Sequence, residues 1–162
     1  DMEVDGDNIQ IFKGQDRRCH INLFGIDNCC TDSAYIQRCS REEQETYQQK
    51  DQGRCHELGE YCSKRTVLNI CVEKTRSACC FSSLLARVVQ EQGRAQLGIG
   101  WGDVKTPECR GFTPTELTTM DWSLFDLNEF YASINPTPLD QGQTTGGAQG
   151  KQPACYYGQG KC

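Results

Sequence analysis

The chain has 162 residues, 12 cysteines, 36% apolar residues with cysteine counted among them, and a formal charge of -5. Its basic residues cluster only as pairs, such as Arg17-Arg18 and Lys64-Arg65. That is too little positive charge to neutralise a row of phosphates, so a nucleic-acid binder is excluded, and no apolar run approaches the roughly 20 residues of a transmembrane segment. The apolar content is thin for a core of this length, and covalent cross-links are the expected substitute.

The cysteines are Cys19, Cys29, Cys30, Cys39, Cys55, Cys62, Cys71, Cys79, Cys80, Cys109, Cys155 and Cys162. None belongs to a C-x-x-C pair, the spacing that redox sites and zinc knuckles use to bring two thiols together. We therefore read all twelve as disulfide cysteines in about six bridges, each contributing roughly 2–4 kcal/mol. The pairing stays open, because twelve cysteines allow on the order of ten thousand connectivities. Neighbouring cysteines rarely bridge each other, so Cys29-Cys30 and Cys79-Cys80 should each reach two different partners. The expected fold is a small disulfide-rich α+β domain, mainly short helices and loops with few strands. No signal peptide is visible, and a start at Asp1-Met2-Glu3 reads as a mature chain or a fragment.

Residues 1–18 are polar and acidic, with a short apolar patch at Ile9, Ile11 and Phe12. Asp5 and Asp7 have the spacing that opens a calcium loop, but the rest of that motif is missing, so a solvated strand or turn is expected. Ser40 and Glu43 form a capping box ahead of a polar helix that runs to Lys50, with Gly53 as its stop. Phe81, Leu84, Leu85, Val88 and Val89 recur at helical spacing and predict a helix over 80–92 with these residues on its core face. Arg87, Gln90, Glu91 and Gln92 fall mostly off that face, and Gly93 suits the position just beyond the end. This places Cys79 and Cys80 at the helix N-terminus, where a free thiol would be acidified; a bonded one is inert.

The next segment, "LGIGWGD", holds Gly98, Gly100 and Gly102. It follows a helix and its third glycine comes one residue early for a dinucleotide loop. Close backbone packing around Trp101 as an anchor accounts for it better. Thr113, Pro114 and Glu116 then cap a helix near 114–120, with Phe112 and Leu117 as a hydrophobic staple. Asp126 and Glu129 repeat the pattern for a helix near 127–133, stapled by Phe125 and Phe130. Phe112, Phe125, Phe130 and Trp101 thus join the helical stripe as core and anchor residues. The expected organisation is a cysteine-rich domain over 1–134, a Gly/Gln/Pro-rich linker over 135–153, and a loop over 154–162 closed by Cys155 and Cys162.

No catalytic set, metal set or cofactor motif emerges. His20 and His56, the two histidines, each follow a cysteine. A Cys-His dyad needs a free thiolate, and the zinc combination of Cys19, His20, Cys55 and His56 asks adjacent residues to reach one ion. Asp126 and Glu129 are accounted for as caps. No N-x-[ST] acceptor is present, which favours a bacterial envelope over a eukaryotic secretory route.

The segments "GIDNCC", "GEYCSK", "CVEKTRSACCFSSLLARVVQEQGRAQLGIGWG", "PECRGFT" and "DWSLFDLNEF" together resemble the C-terminal portion of the TraN family, the mating-pair stabilisation proteins of F-type conjugation. The resemblance covers roughly residues 10–133. It implies an exported, non-catalytic structural domain at the bacterial cell surface, periplasmic or associated with the outer membrane. Its implied partners are other conjugation-apparatus proteins. Recipient outer-membrane proteins would be met through a tip region outside this chain. Family members are several times longer, so the chain reads as a fragment. The alternative is an exported thiol or redox enzyme that uses a cysteine or histidine.

Overall fold

The computed structural model describes residues 9–22, 28–31 and 39–135. In them, β1 (Gln15–Asn22) is followed by α1 (Arg41–Asp51), β2 (Cys55–Arg65), β3 (Cys71–Cys80) and α2 (Leu84–Leu97). Two two-residue strands, β4 (Gly102–Asp103) and β5 (Thr106–Pro107), then precede α3 (Pro114–Thr119), a 3-10 turn (Trp122–Leu124) and α4 (Asn128–Ile134). The chain divides into one unit over residues 1–127 and another over 128–162; α4 is the described element of the second. The linker expected over 135–153 falls outside the described residues except for Asn135, as does the loop expected over 154–162.

β3 is the centre of a three-stranded antiparallel sheet, ordered β1-β3-β2. Its last residue, Cys80, lies opposite Gln15 on one side and Cys55 on the other. Successive side chains on a strand leave by opposite faces, which is why adjacent cysteines serve different partners. Cys80 bonds Cys55 across the sheet, and Cys79 bonds Cys109 in the later loop. Cys30 and Cys29 divide in the same way between Cys19 and Cys39. Cys62–Cys71 closes the β2–β3 hairpin near its turn. The described residues therefore carry five bridges, with Cys155 and Cys162 outside them.

The fold is a disulfide-rich α+β domain, but it is richer in strand than expected. β1, β2 and β3 span 8, 11 and 10 residues. They escape a reading by hydrophobic alternation because both faces of the hairpin carry ion pairs. Lys74 Nζ lies 2.8 Å from Glu60 Oε1, and Lys64 Nζ lies 2.7 Å from Glu73 Oε2. Bulges in β2 around Gly59 and Lys64 also break the period.

The helices follow their caps. Ser40 and Glu43 make both bonds of the capping box on α1, and Thr113 and Glu116 make both on α3. α1 buries only Thr46, so it is held at its ends, through Cys39 and Cys55, rather than by an apolar face. The helix predicted over 80–92 is displaced. β3 keeps Cys79 and Cys80, Ser83 caps α2, and the helix runs on to Leu97. Gly93 is interior and buried; the left-handed stop is Gly98, with φ of 66°. A Cβ on Gly93 would stand 2.8 Å from Phe112 Cζ and 2.9 Å from Met120 Cε, so this glycine exists for packing. α4 begins one residue later than expected, at Asn128.

Three clusters form the core. Cys79, Phe81, Ala86 and Cys109 pack with Phe12, Leu58 and Trp101. Val89, Phe112 and Met120 pack with Leu85, Leu117 and Phe125. Cys19, Cys29 and Cys30 make the third, in which disulfide sulfur replaces hydrocarbon. Of the expected core residues, Phe81, Val88, Val89 and Phe112 are buried, whereas Leu84, Leu85, Trp101, Phe125 and Phe130 are only half-buried. The N-terminal segment joins this core by pairing Ile11 with Phe112 through two backbone bonds of 2.8 and 2.9 Å.

Candidate functional site

His20 leaves β1 toward the start of α1, at a surface cleft of about 650 Å³ lined by Arg17, His20, Ser40, Glu43 and Thr46. Its Nδ1 bonds Glu43 Oε1, and its backbone N–H donates to the same oxygen at 3.0 Å. Glu43 Oε2 accepts the Ser40 N–H at 2.8 Å. Burial acts to raise the Glu43 carboxyl, but the bonds from Ser40 and His20 outweigh it and hold it below the usual range. One carboxylate thus caps α1 and ties it to β1.

His20 Nε2 lies 3.8 Å from Cys29 Sγ, so His20, Cys29 and Glu43 form a compact group of metal-ligand type. Cys29 is bonded to Cys39, however, and a disulfide sulfur is not the thiolate that a metal requires. The zinc combination considered from sequence is not assembled. His20 pairs with Thr75 on one side of β3, His56 pairs with Cys79 on the other, and both Cys19 and Cys55 are in disulfides.

His56 stacks on Trp101 with ring centroids 4.0 Å apart, and its Nδ1 lies 2.7 Å from Glu91 Oε1. Burial acts to raise Glu91, and His56 and Arg87 together hold it below its ordinary value. Arg87 is no idle surface residue. Its Nη1 bonds Glu91 Oε2 at 2.7 Å and its Nε donates to the Gly53 carbonyl, linking α2 to the end of α1.

On the far side of Trp101 lies Arg94, 4.1 Å above the ring and buried. It donates to Gln90 Oε1, to the Gly100 carbonyl and, at 2.8 Å, to the Arg110 carbonyl. Gln90, also buried, donates to the Phe12 carbonyl at 2.9 Å. The glycine run is therefore a loop wrapped around a buried guanidinium, not a phosphate cradle. Gly102, with φ of 77°, closes it, since a Cβ there would meet Thr106 O at 2.6 Å. Sequence reasoning missed Gln90 and Arg94 because helical periodicity counts apolar residues. The one available signal was that Gln90 and Arg94 sit at i, i+4 beside the stripe.

Comparison with known proteins decides what kind of chain this is. A family model described as "F-type Type IV secretion system, TraN" matches residues 1–113. The chain belongs to the TraN family. It is 39% identical over 137 residues to the mating pair stabilization protein TraN of Escherichia coli (strain K12), an alignment that takes in 81% of this chain. It spans only 23% of that relative's length. No solved structure matches it. In this TraN-family chain, "GEYCSK" lies on β2, "CVEKTRSACC" is β3 itself, and "PECRGFT" supplies Cys109 and the Phe112 strand partner of Ile11. "DWSLFDLNEF" lies beyond the residues that the family model matches.

Proposed function

We propose that this chain is a non-catalytic scaffold domain of a mating-pair stabilisation protein, exported to the bacterial envelope and associated with the outer membrane. The observation that carries the reading is the use made of its reactive groups. Every cysteine among the described residues is in a disulfide, and both histidines are held by helix carboxylates. Such a base is stiff, and a recognition module mounted on a stiff base loses less freedom when it binds. The module that meets recipient outer-membrane proteins would lie in the remainder of a longer protein. Other components of the conjugation apparatus would dock on this domain.

Plasmid transfer tests the reading. Deleting residues 79–133 from the full protein in a donor removes the Cys79–Cys109 link and α2, and should abolish stable pairing. His20→Gln and His56→Gln, made singly, should leave transfer near normal. Loss of transfer in either variant, with the protein folded and correctly located, would overturn the scaffold role. The competing reading, an exported thiol or redox enzyme, has one point in its favour: His20 Nε2 stands beside Cys29 Sγ. It requires the Cys29–Cys39 bridge to open during function, and trapping of a free Cys29 thiol in cells would support it.

A further inference from the structure

The β2–β3 hairpin ends in the least covered apolar surface of the described residues. Val67, Leu68 and Ile70 are 103%, 78% and 58% exposed. Residues 63–72 contain Lys64 and Arg65 and no acidic residue, in a chain whose overall charge is -5. We propose that this tip is a membrane-docking element, in which the three aliphatic side chains enter the headgroup–acyl boundary of an anionic bilayer and Arg65 meets its phosphates.

Three observations converge on a bilayer as the partner. The turn already satisfies much of its own backbone: Thr66 N–H donates to the Ile70 carbonyl at 2.8 Å, Asn69 N–H to the Thr66 carbonyl at 2.9 Å, and Ile70 N–H to Thr66 Oγ1 at 3.2 Å. A segment entering an apolar medium needs this, because unpaired N–H and C=O groups are costly there. The charge is graded along the hairpin. Lys64 shares its ammonium with Glu73, whereas Arg65 donates to the Asn69 carbonyl and has no carboxylate partner among the described residues. A guanidinium with no carboxylate to neutralise it, just behind an apolar apex, suits lipid phosphate. Finally, the Cys62–Cys71 bridge clamps the hairpin directly behind the turn, so the apex is presented in one conformation at little ordering cost.

Neither signal alone holds a protein on a membrane; apolar insertion and electrostatic attraction are needed together. The contact would give the outer-membrane association proposed above a physical basis, yet it does not depend on scaffolding, and either idea can fail without the other. The test is co-sedimentation of the 162-residue chain with vesicles. Binding is expected to phosphatidylglycerol mixed with phosphatidylcholine, with much weaker binding to phosphatidylcholine alone and a decline in high salt. The double variant Val67→Ser/Leu68→Ser should lose roughly tenfold or more in partitioning with its melting temperature unchanged. Arg65→Glu should remove the preference for the anionic lipid. A Leu68→Trp variant should show a blue-shifted emission on the mixed vesicles. No binding by the wild-type chain, or undiminished binding by the double variant, would overturn the proposal.

Discussion

Gln90 Oε1 accepts a hydrogen bond from Arg94 Nε at 2.7 Å, with both side chains sealed from solvent. The pair places a polar knot inside the core, off the apolar face that the helix pattern marked. It joins α2 to the N-terminal segment through Phe12 and to the 100–110 loop through Gly100 and Arg110. Burial lowers the Arg94 pKa from its ordinary value, and nearby Arg110 acts in the same direction; the carbonyl bonds and the Trp101 ring compensate for lost water. Arg94→Met keeps much of the volume but strands Gln90 Oε1 and the Gly100 carbonyl and leaves the Arg110 carbonyl only its 3.4 Å bond from Gln90, at an expected cost of roughly 2–4 kcal/mol. Chemical denaturation of the oxidised protein measures it. A value within about 0.5 kcal/mol of wild type, the scatter of neutral surface changes, would mean that the knot is not structural.

Three glycines test the account of α2 and its loop. Gly93→Ala improves helix propensity by about 1 kcal/mol, yet the new methyl meets Phe112 and Met120. A net loss of roughly 1–2 kcal/mol is expected. Gly98→Ala should lose about 1 kcal/mol through its left-handed φ of 66°. Gly100→Ala faces open space and should be silent. Melting temperatures rank the three, and a stabilising Gly93→Ala would refute the packing role.

The bridges differ in reach. Cys79–Cys109 encloses a separation of 30 residues and lies in the core, whereas Cys62–Cys71 encloses 9 in an exposed hairpin. Loop entropy alone gives roughly 3–4 kcal/mol for the first and about 2.5 kcal/mol for the second. Paired alanine substitutions should therefore damage stability more at 79/109 than at 62/71. Peptide mapping of the unreduced protein should recover the five pairings, and thiol titration after denaturation should find fewer than two free thiols among the twelve cysteines.

Acid sensitivity should report on Glu116. The Arg110 guanidinium, bonded at 2.8 and 2.9 Å, is the main cause that lowers its carboxyl to about 2; burial opposes it and the Thr113 N–H assists. A carboxyl depressed in the folded state stabilises the fold above its unfolded value near 4.5. That contribution is lost as pH falls from there toward 2. Glu116→Gln should thus be most destabilising near neutrality, and its deficit should shrink through that window. A deficit that stays constant from pH 7 to pH 2 would assign the residue's role to packing or hydrogen bonding without charge.

Some of this protein was decided by neighbours in sequence. Ser40 with Glu43 and Thr113 with Glu116 close their boxes within four residues, so the starts of α1 and α3 were legible without a fold. The division of each adjacent cysteine pair followed from the geometry of one residue and the next. Val88 and Val89 declared their burial by spacing alone. What the tertiary structure decided rests on register across long separations. Strand pairing brings Cys80 opposite Cys55, and helix packing sets Glu43 against His20 and Glu91 against His56. Burial of Gln90 and Arg94 depends on carbonyls at Phe12, Gly100 and Arg110, which no local pattern places nearby. A polar side chain belongs in a core only when its partners are delivered from elsewhere in the chain, and that delivery is a property of the fold.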